Sequence, residues 1–337
     1  MKRIIALLIS VIMLTSLLVA CGGNTTSGNA VSTESKKADV KVVTTIFPLY
    51  DWVREVAQDD VDINLDLLLD NGVDLHSYQP SAKDIVTISD CDVFIYVGGE
   101  SDKWVDDTLK QANNKDMIVL NLMDILGDKA KTEEVKEGMQ EDEHEHEEGE
   151  EHKEGEEELE YDEHVWLSLK NASIFTQSIA DALKKADSQH TDAFQANADA
   201  YKGKLTELDK QYQDTVDKAS VKTLLFGDRF PFRYLTDDYN LDYYAAFVGC
   251  SAETEASFET ITFLSGKADE LNLKAIMQIE TSDGSIAKTV RDNTKTKDQT
   301  ILTLDSLQSV TTERVNNGET YLTIMTSNLD ILKQALS

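Results

Sequence analysis

Proline and cysteine are both scarce, with three of each in 337 residues. Three cysteines cannot build a disulfide scaffold, so the fold must rest on a packed core. The 41% hydrophobic content is enough for one, which excludes a wholly disordered chain. Positive charge is also short: 32 Lys and Arg stand against 63 Asp and Glu, a net −31 with pI near 4.4. A chain this acidic is repelled by phosphate backbones, which excludes nucleic acid as a general partner. Neither an HExxH pattern nor a nucleophile elbow occurs. The N-terminal apolar stretch is shorter than the roughly 20 residues that span a bilayer.

That stretch has its own reading. Lys2 and Arg3 precede an apolar run over 4–14, interrupted at Ser10, and Leu18-Val19-Ala20-Cys21-Gly22 follows. Residues 1–20 read as a secretory signal, and their loss takes the net charge to −33. Cys21 after Leu-Val-Ala resembles the bacterial lipoprotein box, which implies a lipid on Cys21 holding the chain at a membrane surface. Residues 22–39, rich in Gly, Asn, Ser, Thr and Lys, read as a flexible tether.

From Val40 onward short β-branched runs alternate with helical stretches. Strands are expected over 40–45, 63–69, 93–97 and 117–122, with helices at 50–57, 82–88 and 103–111 between them. A proline-free helical region runs from Ile174 to about Ala219, interrupted only by Gly203, and its second half, 188–219, is as long as a domain. Alternation then restarts, with strands at 223–226, 241–247, 274–279 and 300–304 and a closing helix at 328–335. Strands separated by helices form parallel sheets. The expected architecture is α/β: an N-terminal lobe (40–132), a return segment and linking helix (164–220) and a C-terminal lobe (221–337), with a site in the cleft between the lobes. A single large doubly wound sheet is the alternative.

Residues 133–163 fit neither lobe. They hold 18 acidic and two basic residues together with His144, His146 and His152, half of the six histidines. No apolar periodicity survives, so a mobile loop is expected. Imidazoles among carboxylates suit weak, exchangeable capture of divalent metal.

Ligands of open α/β sheets bind beyond the carboxyl ends of the strands. Polar residues at such ends are His76 in Leu75-His76-Ser77-Tyr78-Gln79-Pro80, Asp228 and Arg229 after Gly227, and Glu280 with Asp283. His164 stands where the acidic segment meets the next folded stretch. Two imidazoles and one or two carboxylates from both lobes make a mixed nitrogen and oxygen site for a divalent ion. Cys250 follows a strand at the cleft side, with soft ligation the minor reading, and Cys91 reads as a buried thiol at the opposite strand ends. No bridge between the two is expected.

These motifs, with Thr45-Ile46-Phe47-Pro48-Leu49-Tyr50, Gly98-Gly99-Glu100, His164-Val165-Trp166-Leu167 and the stretch from Gly249 to Glu255, resemble the metal-binding lipoproteins of bacterial ABC importers, in their zinc-uptake branch. The resemblance implies two lobes joined by a rigid helix, with a metal buried between them. It implies His76 and His164 as the first two ligands and Glu280 as the acid from the second lobe. At the remaining position, usually histidine, or glutamate in manganese proteins, it places Arg229 beside Asp228. A guanidinium cannot ligate. Asp228 is therefore the expected ligand, with a water as the alternative, and Arg229 is expected to orient a carboxylate. Glu100 is expected to hydrogen-bond a ligand histidine.

The implied function is extracytoplasmic capture of Zn²⁺ by a monomer and its delivery to an ABC-type permease of the cell membrane. Mn²⁺ binding of the same type is the first alternative, since two histidines with two carboxylates suit a harder ion. A secreted metal-dependent hydrolase using Glu280 or Asp283 as base is a weaker one, and an adhesin role on the same scaffold is compatible with transport.

Overall fold

The computed structural model describes residues 40–58, 61, 63–140, 160–251 and 255–337. The signal, Cys21, the tether and His144, His146 and His152 lie outside them. The first lobe runs β1 (Val40–Thr44), α1 (Phe47–Ala57), β2 (Ile63–Leu67), α2 (Ala82–Ser89), β3 (Val93–Tyr96), α3 (Trp104–Lys110), β4 (Ile118–Asn121) and α4 (Leu122–Leu126). A helical hairpin follows, α5 (Leu169–Ala186) and α6 (Thr191–Lys218). The second lobe is β5 (Thr223–Phe230), α7 (Arg233–Tyr239), β6 (Asp242–Val248), α8 (Phe258–Glu270), β7 (Ala275–Ile279), α9 (Ser285–Asn293), β8 (Thr300–Leu304), α10 (Thr312–Asn316) and α11 (Tyr321–Ala335).

Both sheets are parallel and share one plan, β2-β1-β3-β4 and β6-β5-β7-β8. In each, the chain leaves the first strand to one side and returns on the other, which opens a crevice at the carboxyl ends of the two central strands. The central strands read as continuous apolar runs because helices cover both faces: Val93, Phe94 and Ile95 are all buried, as are Ala275, Ile276 and Met277.

The lobes are not independent. One apolar cluster runs from Val42 and Trp52 in the first lobe through Phe175 and Tyr212 of the hairpin to Leu304 and Met325 in the second. The long linking helix expected over 188–219 is α6, and α5 packs against it as a hairpin. The chain breaks at Asp187–His190, where Asp187 accepts from the Gln189 amide and from His190. Gly203 stays helical. α6 alone, 28 residues, spans about 42 Å at 1.5 Å per residue. α11 is a second tie: the Tyr321 amide donates to buried Asp51 of α1 at 2.8 Å and its ring meets Trp52 edge-on. Among the described residues no helix is long and apolar enough to cross a membrane.

The described ends of the acidic segment, 133–140 and 160–163, are fastened to the folded chain. β6 is an edge strand with unpaired backbone groups. The Gln140 amide donates to Ala246 O there, and Lys136 pairs with Asp242 over the Tyr243 ring. A bridge between Thr132 and Tyr161 closes the neck.

Candidate metal centre

His76 and His164 are set by the same local device. Each stands two residues after an aspartate whose carboxylate accepts the histidine's own amide, Asp74 at 3.0 Å and Asp162 at 2.9 Å. Asx turns of this kind fix a backbone without regular structure, and here each precedes or forms a short 3₁₀ turn, 75–77 and 165–167. The two Nε2 atoms end 3.2 Å apart. Two nitrogens of a tetrahedral zinc site, each about 2.0–2.1 Å from the ion, are separated by roughly 3.3 Å.

The far side of the His164 ring settles which of its nitrogens is free. Asp162 accepts from His164 Nδ1 at 3.0 Å; a carboxylate only accepts, so Nδ1 carries the proton and Nε2 keeps its lone pair. His76 Nδ1 lies 2.8 Å from Ser101 Oγ and 3.6 Å from Glu163 Oε2. Ser101 donates its amide to Glu163 Oε1 at 2.9 Å, which sets its hydroxyl against His76 Nδ1. Gly99 makes room for that carboxylate: its φ is +85°, and a Cβ there would lie 2.3 Å from Glu163 Oε1.

Two lone pairs facing each other across 3.2 Å repel unless a cation or a proton lies between them. Burial, then the neighbouring His164, pushes His76 down to about 3. His164 is buried too, but the Asp162 carboxylate outweighs that burial and holds it above the usual imidazole range. A proton at the centre therefore belongs to His164, and a divalent ion would displace it.

Cys250 completes the only such cluster among the described residues: its Sγ and one nitrogen from each histidine all lie within 4.8 Å of one another. No carboxylate joins the three. Asp228, the expected ligand, lies outside this cluster. β5 does not end before Gly227 but continues to Phe230 through an irregularity between Phe226 and Arg229. Within it the Asp228 carboxylate accepts the amides of Arg229 at 2.8 Å and Ile279 at 3.2 Å, lacing the ends of β5 and β7. Glu280 accepts from the Ser306 amide and hydroxyl, both at 2.8 Å, and from Ser309 at 3.1 Å. Among the described residues its Oε2 accepts from the Ser306 amide alone, which leaves a lone pair open. Burial, then Asp305, holds its carboxyl above the usual range.

Arg229 reaches across the cleft. Its Nη2 pairs with Asp74 at 2.8 Å and its Nη1 donates to Ser251 O at 3.3 Å. Asp74 thus holds the His76 turn with one oxygen and the second lobe with the other. The cleft beside the histidines, about 530 Å³, is lined by Asp74, Ser77, Asp228, Arg229, Ser251 and Asp283 among others. Glu100 does not face the site: it is exposed and pairs with Lys103, because its 3₁₀ turn aims it outward and presents Ser101 instead. Asp74, Asp162, Glu163 and Ser101 carry roles that the sequence reading did not assign, and the repeated Asp-x-His spacing was the available signal. The second histidine motif is anchored through Trp166, whose indole donates to Ser306 O and whose carbonyl accepts from Tyr321.

Comparison with known proteins agrees with this architecture. Residues 42–335 match the family model described as zinc-uptake complex component A, periplasmic. The chain is 33% identical over 320 residues to the high-affinity zinc uptake system protein ZnuA of Bacillus subtilis, covering 95% of this chain and 94% of that one. It is 32% identical to the zinc-binding lipoprotein AdcA of Streptococcus pneumoniae, with 99% of this chain aligned to 61% of that longer protein. The crystal structure of the Zn(II)-bound ZnuA-like domain of the pneumococcal protein superposes with a TM-score of 0.68 at 28% identity, over 88% of this chain and 99% of that one. With the two-lobed parallel fold and paired imidazoles in its cleft, the chain belongs to the ZnuA family of periplasmic zinc-uptake solute-binding proteins.

Proposed function

We propose that this chain captures Zn²⁺ outside the cytoplasm and hands it to an ABC-type permease, held at the membrane surface by a lipid on Cys21 and working as a monomer. The observation that carries this reading is the pair of Nε2 atoms 3.2 Å apart, each backed by a fixed hydrogen bond on its other nitrogen. Support on the second nitrogen fixes ring orientation and raises ligand basicity. Glu280, with one open lone pair and a place at the carboxyl end of β7, is the proposed acid from the second lobe.

Enclosure favours holding an ion over activating water. His164 is fully buried, and the side chain of His76 is 13% exposed. A metal surrounded by protein donors has no open position for a reacting water. His144, His146 and His152 are proposed as weaker, exchangeable sites that raise the local ion concentration.

Calorimetric zinc titration against a competing chelator tests the reading. The full chain in detergent should bind one ion with sub-micromolar Kd plus weaker equivalents. Changing His76 and His164 together to alanine should abolish the tight step; tight binding that survives the double change refutes the site. Deleting 141–159 should remove the weak equivalents and leave the tight one, because the neck at Thr132 and Tyr161 stays closed.

A further inference from the structure

We propose that Cys250 is the third protein ligand of the zinc site, binding as a thiolate beside His76 and His164. The inference rests on the zinc-capture reading and specifies its chemistry.

The two thiols described in the structure have different surroundings. Cys91 is packed in an apolar cluster with Val43, Ile88 and Phe94, the setting of a core thiol. Cys250 belongs to none of the apolar clusters. It is half-buried, its amide donates to Glu133, and the carboxylates of Glu133, Asp162 and Glu163 act on it electrostatically; Asp162 and Glu163 also stand beside the ligand histidines. A cysteine placed among carboxylates and imidazoles gains little from packing. Those groups do suit a cation, which would offset the charge they concentrate there.

Strand register explains how the thiol arrives. β6 lies beside β5, with Phe230 opposite Val248, so the chain leaving β6 emerges at the crevice in the second sheet. Gly249 then lies against the His164 ring: a Cβ there would be 2.8 Å from Cε1. The absent side chain lets the loop come close enough for the next residue to reach the two Nε2 atoms. Both flanks of that residue are held, the Cys250 amide by Glu133 at 3.3 Å and the Ser251 carbonyl by Arg229 at 3.3 Å. Arg229, unable to ligate, serves as a brace for the loop that carries the sulfur.

The bonding balances simply. As the zinc–sulfur bond forms, the thiol proton passes to solvent and no redox partner is needed. Zinc accepts nitrogen and thiolate together at about 2.0–2.1 and 2.3 Å. Manganese prefers oxygen, so a thiolate also argues against the Mn²⁺ alternative.

The test is optical. Titrated with Co²⁺, the full chain in detergent should fill its tight site with the intense near-ultraviolet band of sulfur-to-metal charge transfer, and zinc should erase that band. Cys250→Ser should remove the band and lower zinc affinity on the order of 100-fold, the upper end of the roughly 10–100-fold range for residues that merely support ligands, so loss of the band is the readout that shows direct ligation. Cys250→His should restore affinity without the band, which separates ligation from a folding defect. Deleting 141–159 should leave the band unchanged, since that segment contains no cysteine. One tight ion without a sulfur band, or a band that persists in Cys250→Ser, overturns the proposal while sparing the zinc reading. Failure of the unaltered chain to bind any ion tightly overturns both.

Discussion

Asp74-Leu75-His76 and Asp162-Glu163-His164 use one spacing and one backbone turn, yet they hold their histidines differently. Asp162 Oδ1 accepts both the amide and Nδ1 of His164, so one oxygen fixes backbone and ring together. Asp74 takes only the amide of His76 and spends its other oxygen on Arg229 in the opposite lobe, leaving the ring to Ser101. The outcome is visible in proton affinity: His164 sits above the usual range and His76 falls to about 3. One imidazole is preset within the buried seam, whereas the other is held through a contact that crosses the cleft.

The comparison yields an ordered set of expectations. Losing an imidazole should cost most. His164→Ala should weaken zinc binding on the order of 10³-fold, about 4 kcal/mol at 1.4 kcal/mol per tenfold, and His76→Ala by a similar factor; equal calorimetric affinity in either variant would remove that residue from the site. Next come the two aspartates. Asp162→Ala should fall near the top of the roughly 10–100-fold range for supporting residues and Asp74→Ala near its bottom. A reversed ranking would show that the interlobe contact, not ring orientation, dominates. Smaller again is the Asp74–Arg229 pair. A double-mutant cycle on urea stability should return a coupling of about 1 kcal/mol, as for partly solvated ion pairs, and no coupling would mean that the lobes do not communicate through it.

The last expectation leaves zinc untouched. Asp102 lies beneath the Gly98–Gly99 turn that accommodates Glu163, and its Oδ2 accepts the amides of Val97 and Gly98. Burial pushes its carboxyl up to about 7, against 3.8 in an unfolded chain. The folded state therefore binds the proton more tightly. Its stabilising contribution is complete below about pH 4 and is lost as pH rises toward 7. Asp102→Asn retains an acceptor for those amides and should flatten the fall in Tm between pH 4 and 8. An unchanged slope would show that the carboxyl is ionised throughout.

Much of this fold was legible in the sequence, because buried parallel strands must be apolar and β-branched. All eight strands fall within a few residues of their expected places. The misses have local causes. β5 runs on through Gly227 and Asp228 because an irregularity absorbs them, and the resulting hydrogen bonds make Asp228 a tie between strands. α11 begins seven residues before the expected helix, at a capping box formed by Thr320 and Thr323. In the site, the two histidines were readable from their motifs. Cys250 was harder to place, since its proximity depends on which strand neighbours β5, a tertiary fact that spacing does not encode.

The two allegiances of Asp74 have a mechanical consequence. If the lobes are drawn apart, as a docking partner pulling on either one would do, Arg229 leaves a carboxylate that also shapes the His76 turn. Separation of the lobes and loosening of the His76 turn are therefore mechanically linked through one carboxylate.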